Sequence, residues 1–283
     1  MPTLLAADGL PLHRFDGPPP AGPPRGVVLL VHGLGEHLGR YGRVAARLAG
    51  QGWVVLGLDQ RGHGRSPGPR GAIPQADSLL ADLGAVLRQV RADHSGPLLL
   101  LGHSLGGLVA ARFVAEGLAP QPAAWWQPVD GLVLSSPALD PGMNLFQKAL
   151  LALAAPLAPD VALGNGLKPA WICRDPAVVR AYVADPLVHD RITPRLVRFI
   201  VDAGRQVLQA APGWRLPTLL LYAGADRCVA PAGSAAFAAA APPAVLQQRR
   251  YDGLAHEIFN EPEQDEVLAD LGDWLRARWP ASA

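Results

Sequence analysis

The residues best suited to chemistry lie in segment 102–107, whose sequence is Gly-His-Ser-Leu-Gly-Gly and fits the pattern G-x-S-x-G around Ser104. An apolar run precedes the segment and an apolar, helix-forming stretch follows it, which predicts a sharp strand-to-helix turn. Such a turn lifts the serine hydroxyl away from the sheet, and Gly102 and Gly106 relieve the crowding that it causes. The N-terminus of the helix favours negative charge that develops nearby. This context predicts that Ser104 is a nucleophile in acyl transfer.

A serine hydroxyl is a weak nucleophile, so Ser104 needs a histidine base, and the expected chain order is serine, acid, histidine. Among the eight histidines, only His189 and His256 follow Ser104. His256 comes after the last predicted strand and directly before the final predicted helix, where a base can reach the sheet edge. His189 lies in a region without predicted strands. We therefore predict that His256 is the base.

The acid that orients His256 is expected at the end of a strand that precedes it in the chain. Asp226 meets this condition, because it follows the apolar run 218–222 after the three residues Ala-Gly-Ala. Asp140, which follows the run 131–134, is the competitor. The sequence favours Asp226 and leaves Asp140 open.

Two backbone N–H groups are expected to stabilise the oxyanion of an acyl-transfer intermediate. One belongs to Leu105, the residue after the predicted nucleophile. The other is expected in the loop after the first central strand, where segment 32–35 is His-Gly-Leu-Gly and Leu34 is the predicted donor. Each such donor contributes roughly 2.7–4 kcal/mol to stabilisation of the transition state.

Short apolar runs that alternate with longer amphipathic stretches must position these residues. The predicted strands are 26–31, 53–58, 98–101, 131–134, 218–222 and 245–250. The predicted helices are 40–49, 75–92, 105–116, 233–240 and 262–278. Continuous apolar runs suit strands buried on both faces, and the alternation indicates an α/β fold with a mostly parallel central sheet flanked by helices. Segments 3–5 and 10–14, on either side of an Asp-Gly turn, predict a small hairpin.

Residues 138–214 interrupt this alternation, because they contain several prolines and helical pieces but no convincing strand. A stretch of this length is not expected to be a bare loop inside a compact domain. We predict that it forms a helical cap, inserted between two strands, that lies over Ser104. The predicted organisation is a first core part at 1–137, the cap at 138–214 and a second core part at 215–283.

Charge and hydropathy disfavour a nucleic-acid-binding protein and a membrane-spanning protein. The 25 Lys and Arg residues nearly balance the 24 Asp and Glu residues, so no basic surplus is available to bind nucleic acid. The N-terminus has no basic segment followed by a long apolar core, which argues against a signal peptide. Prolines interrupt the most apolar stretch, 149–163, well short of the ~20 residues that span a bilayer. We therefore expect a soluble protein.

Cysteine and histidine usage bears on location and cofactors. The two cysteines, Cys173 and Cys228, are too few for a disulfide framework and suit a reducing compartment, so we expect a cytoplasmic location. No H-E-x-x-H motif and no clustered set of Cys and His ligands indicates a metal site. We expect no metal and no cofactor.

Several motifs together resemble those of α/β-hydrolases of the monoacylglycerol lipase and lysophospholipase group. The matching segments are 32–37 with Arg40 and Tyr41, 59–66, 102–107, 185–187 and 256–261. Together they cover the chain from about Arg25 to Trp279, and the set is much more specific than G-x-S-x-G alone. The resemblance implies the α/β-hydrolase fold with an inserted helical cap.

The resemblance also implies that Ser104, Asp226 and His256 form a catalytic triad, with the N–H groups of Leu34 and Leu105 as oxyanion donors. Many relatives have Met in place of Leu105. Because only the backbone N–H is needed there, this departure does not put activity in doubt.

The resemblance further implies that Glu36 and Arg40 line the polar end of the site, where the alcohol part of an ester lies. A surface ion pair on the first helix is the alternative for these two residues. We expect a serine carboxylic ester hydrolase that acts on monoacylglycerols or similar lipid monoesters. The apolar cap would supply the acyl pocket and a transient contact with a membrane surface.

Three other functions stay open at this point. An aminopeptidase similar to proline iminopeptidases would need cap carboxylates to bind a substrate ammonium, and the cap offers Asp160, Asp175, Asp185, Asp190 and Asp202. An acyltransferase would resolve the acyl-enzyme with an alcohol instead of water, and no motif separates these two outcomes. A non-catalytic ligand-binding module would be marked by a broken triad, whereas this triad is complete in the sequence.

Overall fold

A seven-stranded sheet forms the centre of the structure, a computed structural model that describes residues 3–280. The strands in this range are β1 (Leu4–Leu5), β2 (Pro11–Leu12), β3 (Arg14–Asp16), β4 (Gly26–Val31), β5 (Trp53–Leu58), β6 (Leu98–His103), β7 (Gly131–Ser135), β8 (Leu163–Gly164), β9 (Arg191–Ile192), β10 (Thr218–Ala223) and β11 (Leu246–Tyr251). The helices are α1 (Gly42–Ala49), α2 (Ser78–Asp93), α3 (Leu105–Glu116), α4 (Leu145–Leu157), α5 (Pro176–Ala184), α6 (Pro194–Ala210), α7 (Pro231–Ala240) and α8 (Gln264–Arg278). The central sheet has the order β11-β10-β7-β6-β4-β5-β3, and its neighbours are parallel except for β3 with β5. The mostly parallel, helix-flanked sheet predicted from the sequence is therefore confirmed.

The inner strands are buried on both faces, which explains their continuous apolar sequences. In β4, Val27, Leu29 and Val31 face a core layer that contains α2, α3 and α6, while Val28 and Leu30 face the opposite layer with α1 and α8. All five residues are at most 2% exposed. Successive side chains of a strand point to opposite faces, so one sheet organises both halves of the core.

The bounds of β4, β5 and α3 agree with the sequence prediction. Strands β6, β7 and β10 run slightly beyond the predicted segments, to His103, Ser135 and Ala223. Each extension brings the strand to the sheet edge where the candidate site residues lie. Helix α1 begins later than predicted, because a 3-10 turn at Leu38–Tyr41 precedes it.

Three short strands differ from the prediction. The predicted hairpin forms as β1 with β2, but the chain continues into β3, which joins the central sheet antiparallel to β5. In 138–214, where the sequence predicts no strand, β8 pairs antiparallel with β9. Strands of two or three residues carry too little alternation to be recognised in a sequence, and their pairing is decided by tertiary contacts.

Residues 138–214 lie between β7 and β10 and contain α4, α5 and α6. Helix α6 packs against α3 and α4, with Leu196 and Val207 on its buried face. Helix α4 buries Leu151 but exposes most of its other apolar side chains. No helix within residues 3–280 is long and apolar enough to cross a bilayer.

Replacing Leu29 with alanine should lower the free energy of unfolding by about 2–5 kcal/mol, because a fully buried leucine of a central strand leaves a cavity. Leu153→Ala is the matched control, since Leu153 on α4 is 65% exposed and alanine favours a helix. Chemical denaturation followed by circular dichroism measures both variants. Equal losses in the two would contradict the packing described for β4.

Candidate active site

Ser104 lies in the turn between β6 and α3, with φ of 52° and ψ of −119°. A positive φ is unfavourable for a residue with a Cβ atom, so its neighbours must hold this conformation. The N–H of Ser104 donates to the carbonyl of Ser135 at 3.0 Å, and its carbonyl accepts from the N–H groups of Leu108 and Ala138, each at 3.0 Å. The strained turn is thus bonded to β7, to α3 and to the start of segment 138–214.

Close packing explains the two glycines that flank Ser104. A Cβ atom on Gly106 would lie 2.1 Å from the carbonyl oxygen of Val31, and one on Gly102 would lie 2.4 Å from the carbonyl oxygen of Gly106. The first turn of α3 therefore approaches the end of β4 more closely than any side chain allows. This approach places Ser104 beside the loop after β4, where a Cβ atom on Gly33 would lie 3.1 Å from Cβ of Ser104.

His256 lies in the loop between β11 and α8, and its Nδ1 is 2.6 Å from Oδ2 of Asp226, which follows β10. The two side chains are only 7% and 2% exposed. The N–H groups of Cys228 and Val229 donate to Oδ1 of Asp226 at 2.8 and 3.1 Å, which fixes the carboxylate. Burial lowers the pKa of His256, but the carboxylates of Asp226, Glu257 and Glu36 together outweigh burial and raise that pKa above its ordinary value.

Asp140, the alternative acid, and His189, the alternative base, are not part of the hydrogen-bonded pair of Asp226 and His256. Asp140 accepts a hydrogen bond from the backbone two residues further on and borders a separate cavity. His189 borders the cavity at Ser104, but its ring packs on His63 with the centroids 4.7 Å apart. The structure thus brings His256 to Asp226 and not to Asp140.

Leu34 and Leu105 border one cavity together with Ser104. In the part of the chain that the structure describes, the N–H of neither leucine donates a hydrogen bond to the protein. The N–H of Gly33, by contrast, donates to Oε1 of Glu36 at 2.7 Å. Two backbone donors beside Ser104 are therefore free to bind a ligand atom.

Two cavities meet at Ser104 and Leu34. One, called the polar cavity, has a volume of about 400 Å³, and its charged and titratable border residues include Glu36, Lys168, Asp185, His189, Asp190, His256 and Glu257. The other, called the apolar cavity, has a volume of about 610 Å³, and its border residues include Met143, Leu150, Leu151, Ile192, Val197 and Ile200. Because Ser104 borders both cavities, a bound ester can place two chemically different halves on either side of it.

Glu36 and Arg40 form a buried ion cluster with Glu257. Nη1 of Arg40 lies 2.6 Å from Oε2 of Glu36 and 2.6 Å from Oε1 of Glu257, and Nη2 lies 2.5 Å from Oε2 of Glu257. The Tyr41 hydroxyl donates to Oε1 of Glu36 at 2.7 Å, and the ring of Tyr182 covers the guanidinium at 4.8 Å. Burial raises the pKa of Glu36, but the guanidinium of Arg40 and further neighbours outweigh burial and lower it to about 2. The ion pair of the alternative interpretation is therefore present, but it is buried and shared with Glu257.

The two residues of the predicted alcohol end are not equivalent. Glu36 borders the polar cavity, whereas Arg40 lies behind Glu36 and Glu257. Glu257 is a member of this cluster that was not predicted from the sequence. Its position directly after His256, inside the motif 256–261, was the available signal.

One group of described residues offers donor atoms to a cation. The ligand atoms of Asp226, Cys228 and His256 lie within 4.8 Å of one another. The carboxylate and the imidazole are already hydrogen-bonded to each other, and burial together with Asp226 raises the pKa of the Cys228 thiol. These donors fit an oriented histidine base better than a metal site.

Gly106→Ala should disrupt the turn at Ser104, because the added Cβ cannot fit beside the carbonyl of Val31. We expect a lower melting temperature and loss of p-nitrophenyl butyrate hydrolysis. Gly42→Ala is the control, since a Cβ atom there would meet no atom within 4 Å. A Gly106→Ala variant with the melting temperature and activity of the parent protein would contradict the described approach of α3 to β4.

Comparison with known proteins identifies the family and the fold. The family model described as serine aminopeptidase, S33, matches residues 22–263. A monoacylglycerol lipase of Mycolicibacterium smegmatis is 36% identical over 256 residues, which are 89% of this chain and 88% of the relative. The crystal structure of Paleococcus ferrophilus monoacylglycerol lipase covers 94% of this chain and 98% of its own, with 35% identity and a TM-score of 0.82. A soluble variant of monoglyceride lipase from Saccharomyces cerevisiae, covering 97% and 94%, has the same fold with a TM-score of 0.84 at 24% identity. The chain therefore belongs to the serine aminopeptidase S33 family and is a serine hydrolase with the α/β-hydrolase fold.

Proposed function

We propose that this protein hydrolyses monoacylglycerols or similar lipid monoesters through an acyl-enzyme on Ser104. The observation that carries the proposal is the position of Ser104 where a polar and an apolar cavity meet, with His256 on the border of the polar cavity and bonded to Asp226. The relatives named monoacylglycerol lipase, at 36% and 35% identity, support the same substrate class.

In the proposed reaction, His256 removes the proton of the Ser104 hydroxyl as its oxygen attacks the ester carbonyl carbon. The N–H groups of Leu34 and Leu105 donate to the oxyanion that forms. Collapse of this intermediate breaks the ester C–O bond, and the imidazolium gives its proton to the leaving alcohol. Water then repeats the sequence, which releases the fatty acid and restores Ser104. Asp226 stays ionised and stabilises the imidazolium.

We assign the acyl chain to the apolar cavity and the alcohol to the polar cavity. Each methylene that enters the apolar cavity gains about 0.8 kcal/mol from burial. Glu36, on the border of the polar cavity, makes this end suitable for a small polyol, whereas Arg40 lies behind Glu36 and does not border the cavity. Triacylglycerols should be poor substrates, because their additional chains would have to enter the polar cavity.

We also propose that residues 138–214 form a cap over this site, between core parts at 1–137 and 215–283. Both cavities support this division, since the segment supplies part of each border. Leu151 of α4 and Ile200 of α6 border the apolar cavity, and α5 borders the polar cavity.

An aminopeptidase is the second candidate, and the description of the family model is consistent with it. Asp185 and Asp190 border the polar cavity, where a substrate ammonium would lie. However, Oδ2 of Asp185 lies 2.9 Å from Nε2 of His37, so this carboxylate already has a partner. Asp190 lies 3.2 Å from Nε of Arg191. The remaining cap carboxylates cap α5 or pair with arginines, and they are Asp175, Asp160 and Asp202.

Helix α4 supports the proposed transient contact with a membrane surface. Leu145, Phe146, Leu150, Leu153 and Leu157 are between 55% and 85% exposed. An apolar patch of this kind on a helix that borders the apolar cavity is suited to take up a lipid from a bilayer. Both cysteines carry free thiols, which supports the proposed cytoplasmic location.

Specificity constants for p-nitrophenyl esters should rise with acyl length until the apolar cavity is full, because each further methylene is buried. Monoacylglycerol should be cleaved faster than triacylglycerol or a prolyl amide. Release of free fatty acid, measured with and without added alcohol, separates hydrolysis from acyl transfer. A flat or falling length profile, or faster cleavage of the prolyl amide, would overturn the lipid-ester proposal.

Asp226→Asn should lower kcat by about 10⁴-fold, because the amide fixes the wrong tautomer of His256. Asp140→Asn is the matched control and should be mild, since Asp140 borders a different cavity. Steady-state kinetics on one p-nitrophenyl ester measures both. The reverse ranking would move the acid to Asp140.

A further inference from the structure

We propose that Arg40 is a positioning residue that joins the two loops of the catalytic site. One is the oxyanion loop, residues 32–37 between β4 and the 3-10 turn, and the other is the His256 loop, residues 252–263 between β11 and α8. The inference rests on the proposed function, because it assigns a role in forming the oxyanion site and in placing the base. In this role Arg40 acts through Glu36 and Glu257 and does not contact the substrate.

The first half of the connection runs through Glu36. Its Oε1 accepts the N–H of Gly33 at 2.7 Å and the hydroxyl of Tyr41 at 2.7 Å, and its Oε2 accepts from Arg40 at 2.6 Å. The bond to Gly33 fixes the peptide unit directly before the one that carries the Leu34 N–H. The carboxylate therefore controls the direction of a proposed oxyanion donor.

The second half runs through Glu257, the residue after His256. Arg40 donates to both of its carboxylate oxygens, and Nδ2 of Asn260 donates to Oε2 at 2.8 Å. The backbone N–H of Glu257 donates to the carbonyl of Ile172 at 2.8 Å. Glu257 is thus held through both its side chain and its backbone. The residue directly before it is His256, the proposed base.

Arginine suits this place better than any other cation. Its planar guanidinium presents several N–H groups at once, so Nη1 bridges Glu36 and Glu257 while Nη2 completes the pair with Glu257. A lysine ammonium has no such fork. The three side chains are 11%, 5% and 6% exposed, so removal of one charge leaves a buried partner uncompensated.

The contacts favour positioning over substrate binding. Each oxygen of Glu36 and Glu257 already accepts at least one hydrogen bond from the protein, and Arg40 lies behind both. An error of about 1 Å in the placement of reacting groups can cost on the order of 10²-fold in rate. A loss of Arg40 would displace the oxyanion donor and the base together, whatever ester is bound.

The test compares Arg40→Lys and Glu257→Gln on a monoacylglycerol and on a p-nitrophenyl ester of the same acyl length. We expect kcat to fall by roughly 10- to 100-fold, the scale of a misplaced catalytic group, by the same factor on both substrates and with little change in KM. Glu266→Gln is the matched control, because Glu266 lies in the first turn of α8, outside both loops, and forms an exposed pair with Arg249. It should leave kcat unchanged.

The pH profile of Glu257→Gln gives a readout that simple destabilisation would not move. The negative charge of Glu257 helps to raise the pKa of His256. His256 must be neutral to act as a base, so loss of this charge should move the acid limb of kcat/KM to lower pH. Melting temperatures identify any variant that fails to fold. Tyr41→Phe, which removes one hydrogen bond to Glu36, then supplies a milder variant. For it we expect a smaller fall in kcat, again by the same factor on both substrates.

Several outcomes would overturn the proposal. One is a loss that appears in KM and only on the monoacylglycerol, which would make the cluster a substrate contact. Full activity of Arg40→Lys, or an unmoved acid limb in Glu257→Gln, would also contradict it. If the parent protein cleaves the p-nitrophenyl ester but no monoacylglycerol, the proposed substrate fails, while the effect of the variants on the p-nitrophenyl ester still tests the role of Arg40.

Discussion

The close approach of the first turn of α3 to the end of β4 is the constraint on which the site depends. It requires glycine at 102 and 106, and it holds Ser104 at a positive φ that the serine would not adopt alone. Hydrogen bonds from three surrounding elements hold this conformation. The stability of the buried sheet and its neighbours thus holds Ser104 in an unfavourable backbone conformation at the edge of the sheet.

The parallel sheet explains why residues far apart in sequence meet at this place. The carboxyl ends of parallel strands lie along one edge, and loops that follow β4, β6, β10 and β11 carry Leu34, Ser104, Asp226 and His256. The sheet sets the spacing of these loops, but it does not fix their internal conformation. Hydrogen bonds between Asp226 and His256, and between Arg40 and two carboxylates, add that second level of order.

Much of the fold could be predicted from the sequence because its strands are long, apolar and buried on both faces. β4, with the continuous sequence Gly-Val-Val-Leu-Leu-Val, is an example. The turn at Ser104 was also predictable, since strand, glycines and helix are adjacent in the chain. The pairing of β8 with β9 was not, because two-residue strands have no periodicity of their own. Glu257 was missed for a related reason: its partner Arg40 is 217 residues away in sequence, and a buried ion pair leaves no local pattern.

We expect the reaction to pass through a covalent acyl-enzyme on Ser104. The most direct measurement is peptide mapping by mass spectrometry after treatment with a fluorophosphonate that blocks ester hydrolysis. We expect one adduct, located on Ser104 and absent in Ser104→Ala, a variant that should fold normally and lose nearly all esterase activity. An adduct on a different residue, or full activity in Ser104→Ala, would contradict it.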